Sequence, residues 1–144
     1  MKKIQDYVVR GQDSQGAGWF GAPRGDRLHN GVDLVCSDRE PVCAFLPGTV
    51  TKIGFPYSPD LHPDKAHLRY IQVDTDGNQL RYFYVKPRVK LGQKVGMNEV
   101  LGISQDLTKM YPGITQHFHF EIRDPSKEII RPSLMFPGVE DGNS

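Results

Sequence analysis

Short runs in which apolar and polar residues alternate recur along the chain, and no stretch sustains the 3.6-residue period of a helix. Gly48-Thr49-Val50-Thr51-Lys52-Ile53 alternates, as do residues 68–73 and 80–85. Residues 74–79 join the last two, and Asp76-Gly77 between alternating segments predicts a hairpin. Residues 89–103 add further short strands punctuated at Gly92 and Gly96, and a short helix fits only near residues 132–135. With 15 Gly and 11 Pro spread throughout as turn signals, the pattern predicts an all-β domain, a small antiparallel β-sandwich or partly open barrel.

The alternation carries chemistry near its C-terminal end. His117, His119 and Glu121 alternate with Phe118, Phe120 and Ile122. On a strand the three polar groups share one face and the three apolar groups share the other, which belongs in the core. A helix would set His117 and His119 about 200° apart and separate them. Far upstream stands His29-Asn30-Gly31-Val32-Asp33. The two motifs together offer imidazole, carboxylate and two further imidazoles, the inventory of a catalytic zinc site with three protein ligands, an open position and a base. Glu121 either orients a histidine or pairs with an arginine.

The 144 residues make one ordinary domain, expected over 1–137, followed by a polar, flexible tail over 138–144. A net charge of +1 gives no support for electrostatic nucleic-acid binding. No apolar run reaches the length of a membrane span, and the basic start at residues 1–7 is not followed by the apolar region of a signal peptide. A monomer is expected. Cys36 and Cys43 flank a tight loop between strand-like ends, so they either face each other across a hairpin as a disulfide or stand as separate buried thiols. Two irregular segments, 55–67 and 105–115, are expected to wall the site. His62 and His67 lie in the first and read as solvated surface histidines.

Six short stretches together carry a family resemblance. Residues 27–34 (Arg-Leu-His-Asn-Gly-Val-Asp-Leu), Pro41-Val42-Cys43-Ala44 and Gly48-Thr49-Val50 resemble the opening of the lysostaphin/LytM-type zinc endopeptidases. Residues 89–96 and Val100-Leu101-Gly102 resemble their middle portion, and His117-Phe118-His119-Phe120-Glu121 their final motif. The resemblance runs over residues 18–136. It implies a small antiparallel β domain with a zinc-bearing groove. It also implies Zn²⁺ held by His29, Asp33 and His119, with His117 as the base, and a substrate among the cross-bridge or stem peptides of bacterial peptidoglycan.

One position departs from that family. Where the family carries a histidine in a Tyr-x-His segment, this chain has Tyr82-Phe83-Tyr84. That segment and Tyr111-Pro112-Gly113 resemble a second branch, the leukocyte-derived chemotaxins, which the resemblance implies are zinc-containing signalling modules. A phenol can donate a hydrogen bond to a developing oxyanion, but its ordinary pKa near 10 makes it a poor proton shuttle. Tyr84 is therefore expected either as an oxyanion donor in an active enzyme or as a mark of a retired one. The near-neutral composition predicts a neutral cleft suited to Gly- or Ala-rich peptides. An enzyme of this kind reaches the bacterial cell wall or periplasm by phage delivery, dedicated export or a leader outside this sequence.

Overall fold

The computed structural model describes residues 2–141. Among them run twelve short strands: β1 (Pro23–Arg24), β2 (Arg27–Leu28), β3 (Val32–Val35), β4 (Pro41–Cys43), β5 (Gly48–Gly54), β6 (Tyr70–Thr75), β7 (Asn78–Phe83), β8 (Val85–Pro87), β9 (Lys94–Val95), β10 (Val100–Ser104), β11 (His117–Arg123) and β12 (Ile129–Ile130). Three single 3₁₀ turns complete the regular structure, including the one expected near Pro132. The domain is all-β and every pairing is antiparallel.

The larger sheet runs β12-β11-β7-β6-β5-β9, and β3 shares with β12 the edge of β11 that faces away from β7. A smaller sheet runs β4-β10-β8. The sheets do not close into a barrel. Between them lie Phe118, Phe120 and Ile122 from β11, Leu80 and Tyr82 from β7, and Val42 and Leu101 from the smaller sheet, all without solvent exposure. Burying each large apolar side chain contributes about 1.5–3 kcal/mol. Tyr82 is compatible with this core because its hydroxyl accepts the Phe45 N–H at 3.0 Å.

The hairpin expected at Asp76-Gly77 joins β6 and β7. Thr75 pairs with Asn78, and both turn residues take positive φ (51° and 86°), as a tight two-residue turn requires. The run expected over 80–85, by contrast, breaks at Tyr84. Tyr84 adopts φ 69°, and the N–H groups of Tyr84 and Val85 both donate to the Arg69 carbonyl. The chain thereby leaves the larger sheet and enters the smaller one as β8.

Of the two arrangements open to Cys36 and Cys43, the disulfide hairpin does not form. β3 pairs with β11 and β4 with β10, so Cys36, which follows β3, and Cys43, which ends β4, belong to different sheets. Both side chains are buried and stand as separate thiols. Burial pushes the Cys36 thiol up to about 11, which keeps it protonated at neutral pH. Residues 138–141, read from the sequence as the start of the flexible tail, run back over the domain. Val139 packs on the core, Asp141 accepts from Arg131 at 3.2 Å, and its carbonyl accepts the Phe20 N–H at 2.7 Å. Residues 142–144 lie outside the described part.

Gly31 shows why the first histidine motif contains a glycine. A Cβ there would fall 2.2 Å from the Phe120 carbonyl oxygen and 2.8 Å from Glu121 Cβ. The chain between His29 and Asp33 thus lies directly on β11. Gly31→Ala is expected to destabilise the fold by about 3 kcal/mol, because the clash is with backbone. Urea unfolding measures this, and an unchanged midpoint would contradict the close approach.

Candidate metal centre and its groove

β11 presents His117, His119 and Glu121 on the face opposite its core residues, as the alternation requires. β3 is in register so that Asp33 stands directly opposite His119. On the other side of β11, Phe83 stands opposite His119 and Arg81 opposite Glu121. One row across the sheet therefore reads Asp33, His119, Phe83, Tyr70. The Phe83 ring meets His119 edge-on at 5.1 Å and stacks on Tyr70 at 4.7 Å.

His29, Asp33 and His119 converge. His29 Nε2 lies 3.1 Å from His119 Nδ1 and 3.2 Å from Asp33 Oδ1, and His119 Nδ1 lies 3.0 Å from that same oxygen. Donors about 2.0 Å from a tetrahedral ion stand about 3.3 Å apart, so this near-equilateral triangle fits a small cation. The outer nitrogens support it. His29 Nδ1 contacts the Trp19 carbonyl at 3.1 Å, and His119 Nε2 contacts Glu121 Oε1 at 2.9 Å. If those outer nitrogens carry the protons, both lone pairs point into the triangle. Glu121 fills both roles the sequence left open, since its Oε2 also accepts from Arg81 at 3.1 Å.

His117 stands beside the triangle. Its Nδ1 is 2.7 Å from the Thr115 carbonyl, and its Nε2 is 3.4 Å from Asp33 Oδ2. Burial pulls this imidazole below its ordinary pKa, against the raising pull of Asp33. It therefore stands neutral near pH 7 with a basic nitrogen turned toward the site. Tyr84 meets His117 edge-on with ring centroids 6.0 Å apart. Burial holds the Tyr84 phenol well above its ordinary range, and its hydrogen bond with Tyr57 adds to the effect. At neutral pH it is a donor and no base.

Asp33 has a partner that the sequence did not reveal. Arg10, only 3% exposed, donates from Nε and approaches through Nη2 at 3.1 and 3.0 Å, both to Asp33 Oδ2. The two carboxylate oxygens are thus divided, Oδ1 toward His29 and His119 and Oδ2 toward Arg10 and His117. Arg10 is in turn held by both oxygens of Asp13 at 2.8 Å. The segment reaches the site because the Arg10 N–H donates to the Asp33 carbonyl and the Val35 N–H to the Val8 carbonyl, extending the sheet past β3. Burial alone would raise the Asp33 carboxyl, but hydrogen bonds from His119 and His29 and the nearby His117 hold it well below the usual carboxylate range.

Without a cation, His119 lies between two carboxylates. Burial lowers its pKa, but the hydrogen bonds to Asp33 and Glu121 outweigh that and push it up to about 9. A cation at Nδ1 must displace that proton. Metal affinity is therefore expected to rise about tenfold per pH unit up to about pH 9 and to level off above it. Competition titrations across that range read the slope, and a flat profile from pH 6.5 to 8.5 would remove the proton competition.

The centre lies in a groove of about 540 Å³. Phe55, Pro56 and Tyr57 come from one expected wall loop, and Leu107, Tyr111 and Ile114 from the other. The loops are tied by a 2.9 Å hydrogen bond between the Tyr57 and Tyr111 hydroxyls, with Lys65 over both rings. His62 and His67 are exposed and do not line it. The neutral cleft expected from composition is not what forms. Arg10, Arg24, Arg27, Arg81 and Arg123 line the groove against the carboxylates of Asp33 and Glu121.

Residues 27–132, spanning every strand of the groove floor, match the profile of Peptidase family M23. This chain belongs to that family. Leukocyte cell-derived chemotaxin-2 of Bos taurus is 34% identical over 118 residues, covering 82% of this chain and 75% of the relative, and its Mus musculus counterpart is 36% identical with the same coverage. The catalytic domain of the antimicrobial peptidase lysostaphin from Staphylococcus simulans superposes with a TM-score of 0.65 over 92% of this chain and 93% of that one, at 21% identity. At that identity the likeness concerns the fold. Placed in the M23 family, the chain is a peptidase-type domain whose His29, Asp33 and His119 form a cluster able to hold a metal ion.

Proposed function

We propose that this M23 domain is a zinc metalloendopeptidase that hydrolyses cross-bridge or stem peptides of bacterial peptidoglycan. The observation that carries the reading is the donor triangle of His29, Asp33 and His119 on the floor of an open groove, with His117 Nε2 beside it. Two imidazole nitrogens and one carboxylate oxygen suit Zn²⁺. When bound, zinc would polarise the scissile carbonyl and lower the pKa of a water to about 7.

The chain's own groups supply the rest. His29 and His119 hold the cation through nitrogens oriented by Trp19 and Glu121, and Asp33 holds it through the oxygen that Arg10 leaves open. His117 accepts the proton of the attacking water at Nε2 and delivers it to the leaving amine. Tyr84 donates its hydroxyl proton toward the oxyanion. Its left-handed backbone supports this role. A bulky residue at positive φ is strained, and here three backbone hydrogen bonds fix it, from Tyr84 and Val85 to Arg69 and from Gln105 to Tyr84.

The test is incubation of zinc-loaded protein with purified sacculi of Gly-bridged and directly cross-linked walls, with mass analysis of the released muropeptides. Zinc-dependent products are expected. Their absence from both wall types would leave a second reading, a catalytically retired zinc-containing binding or signalling module of the chemotaxin type. Tyr84 in place of histidine favours it, as do the relatives at 34–36% identity. On that reading chelation lowers the melting temperature and no peptide is cut.

A further inference from the structure

We propose that Arg24 and Arg27 form a clamp for a substrate carboxylate, so that the groove selects acidic stem peptides over neutral glycine bridges. The inference rests on the peptidase reading above and names its substrate class.

The first observation is which cations line the groove. Five of the chain's nine arginines do, and none of its nine lysines does. A lysine would supply charge, whereas arginine supplies a planar fork that matches a carboxylate bidentately. Three of the five are already committed to carboxylates of the protein. Arg10 serves Asp33 and Asp13, and Arg81 and Arg123 converge on Glu121.

The other two are not neutralised in this way. β1 and β2 form a two-stranded hairpin whose register sets Arg24 directly opposite Arg27. Like charges in that position destabilise a hairpin. Arg24 donates to the carbonyls of Pro23 and Ala17, which fix its guanidinium without cancelling its charge. Its nearest carboxylate oxygen is Asp33 Oδ2 at 3.8 Å, already held by Arg10. Arg27 is exposed and makes no ion pair among the described residues. Two opposed arginines at a groove lip, one fixed and one free, relieve their repulsion by sharing an incoming anion. Because Arg24 approaches Asp33, that anion would sit next to the donor triangle and hence next to the bond being cut.

The test uses zinc-loaded His117→Ala protein, which keeps the groove while suppressing turnover. Calorimetry compares four probes: an L-Ala-γ-D-Glu stem peptide with free carboxylates, the same peptide amidated at the glutamate, the same peptide amidated at the C-terminus, and pentaglycine. The acid peptide is expected to bind about tenfold more tightly than whichever amidated form lacks the clamped carboxylate, and than pentaglycine. The two amidated arms show which carboxylate is held. Arg27→Gln in the same background is expected to reduce the preference to about twofold or less, and Arg27→Lys to restore only part of it. Affinity for the acid peptide should fall as salt is raised. Acid, amidated and glycine peptides binding alike, with no effect of Arg27→Gln, would overturn the clamp. If the unsubstituted enzyme still cut pentaglycine, the peptidase reading would survive that result. An Arg27-dependent acid preference in a protein that cuts no wall would leave the clamp standing and remove the peptidase.

Discussion

Asp33→Ala is expected to abolish zinc binding and wall cleavage together and to destabilise the metal-free fold by about 3 kcal/mol. Asp33 is 3% exposed and is approached by His29, His117, His119 and Arg10. Removing the carboxylate deletes one donor of three and also the group that balances four neighbours. Breaking a buried ion pair by removing one partner costs about 3–5 kcal/mol, since the other charge stays buried. The lower end applies here because Arg10 keeps Asp13. Elemental analysis of purified protein and urea unfolding in chelator read the two effects separately. Stoichiometric zinc in the alanine protein would reject Asp33 as a ligand. Asp33→Asn keeps the shape and separates loss of charge from loss of volume.

His117→Ala is expected to lower the cleavage rate by about 10²–10⁴ while leaving zinc bound. His117 is no corner of the donor triangle, and its ring faces away from the core that Phe118 and Phe120 fill. The paired measurement, turnover with metal content, separates it from the ligands. For His29 or His119 metal and activity should fall together, whereas for His117 only activity should fall. Cleavage at the full rate would mean that another group takes the proton. The neutral state of His117 near pH 7 follows from burial winning over Asp33, so protonation in acid should suppress the same step.

The sequence alone determined the elements whose physics is local. The period-two pattern from His117 to Ile122 dictates both the strand and its faces, because pleating alternates side chains whatever the partner strand is. Asp76-Gly77 dictates its turn because the two positive φ angles suit those residues. The wall loops were legible as well, since their Pro, Gly and polar composition cannot continue a strand.

The break at Tyr84 was not legible. Tyrosine favours strands, and the partners that hold it at positive φ, the Arg69 carbonyl before β6 and the Gln105 N–H after β10, are distant in the chain. The separation of Cys36 from Cys43 was hidden for a similar reason, because which sheet a short strand joins depends on partners distant in the chain. Arg10 lies in an unremarkable Val-Val-Arg run, and nothing local marks it as the partner of Asp33. The groove is rich in arginine although the chain carries a net charge of only +1. A sum over the chain carries no information about position, and folding gathered five arginines on one face while leaving the lysines elsewhere. Local geometry follows from neighbouring residues, whereas the donor triangle, its arginine support and the field of the groove exist only once strands far apart in sequence are in register.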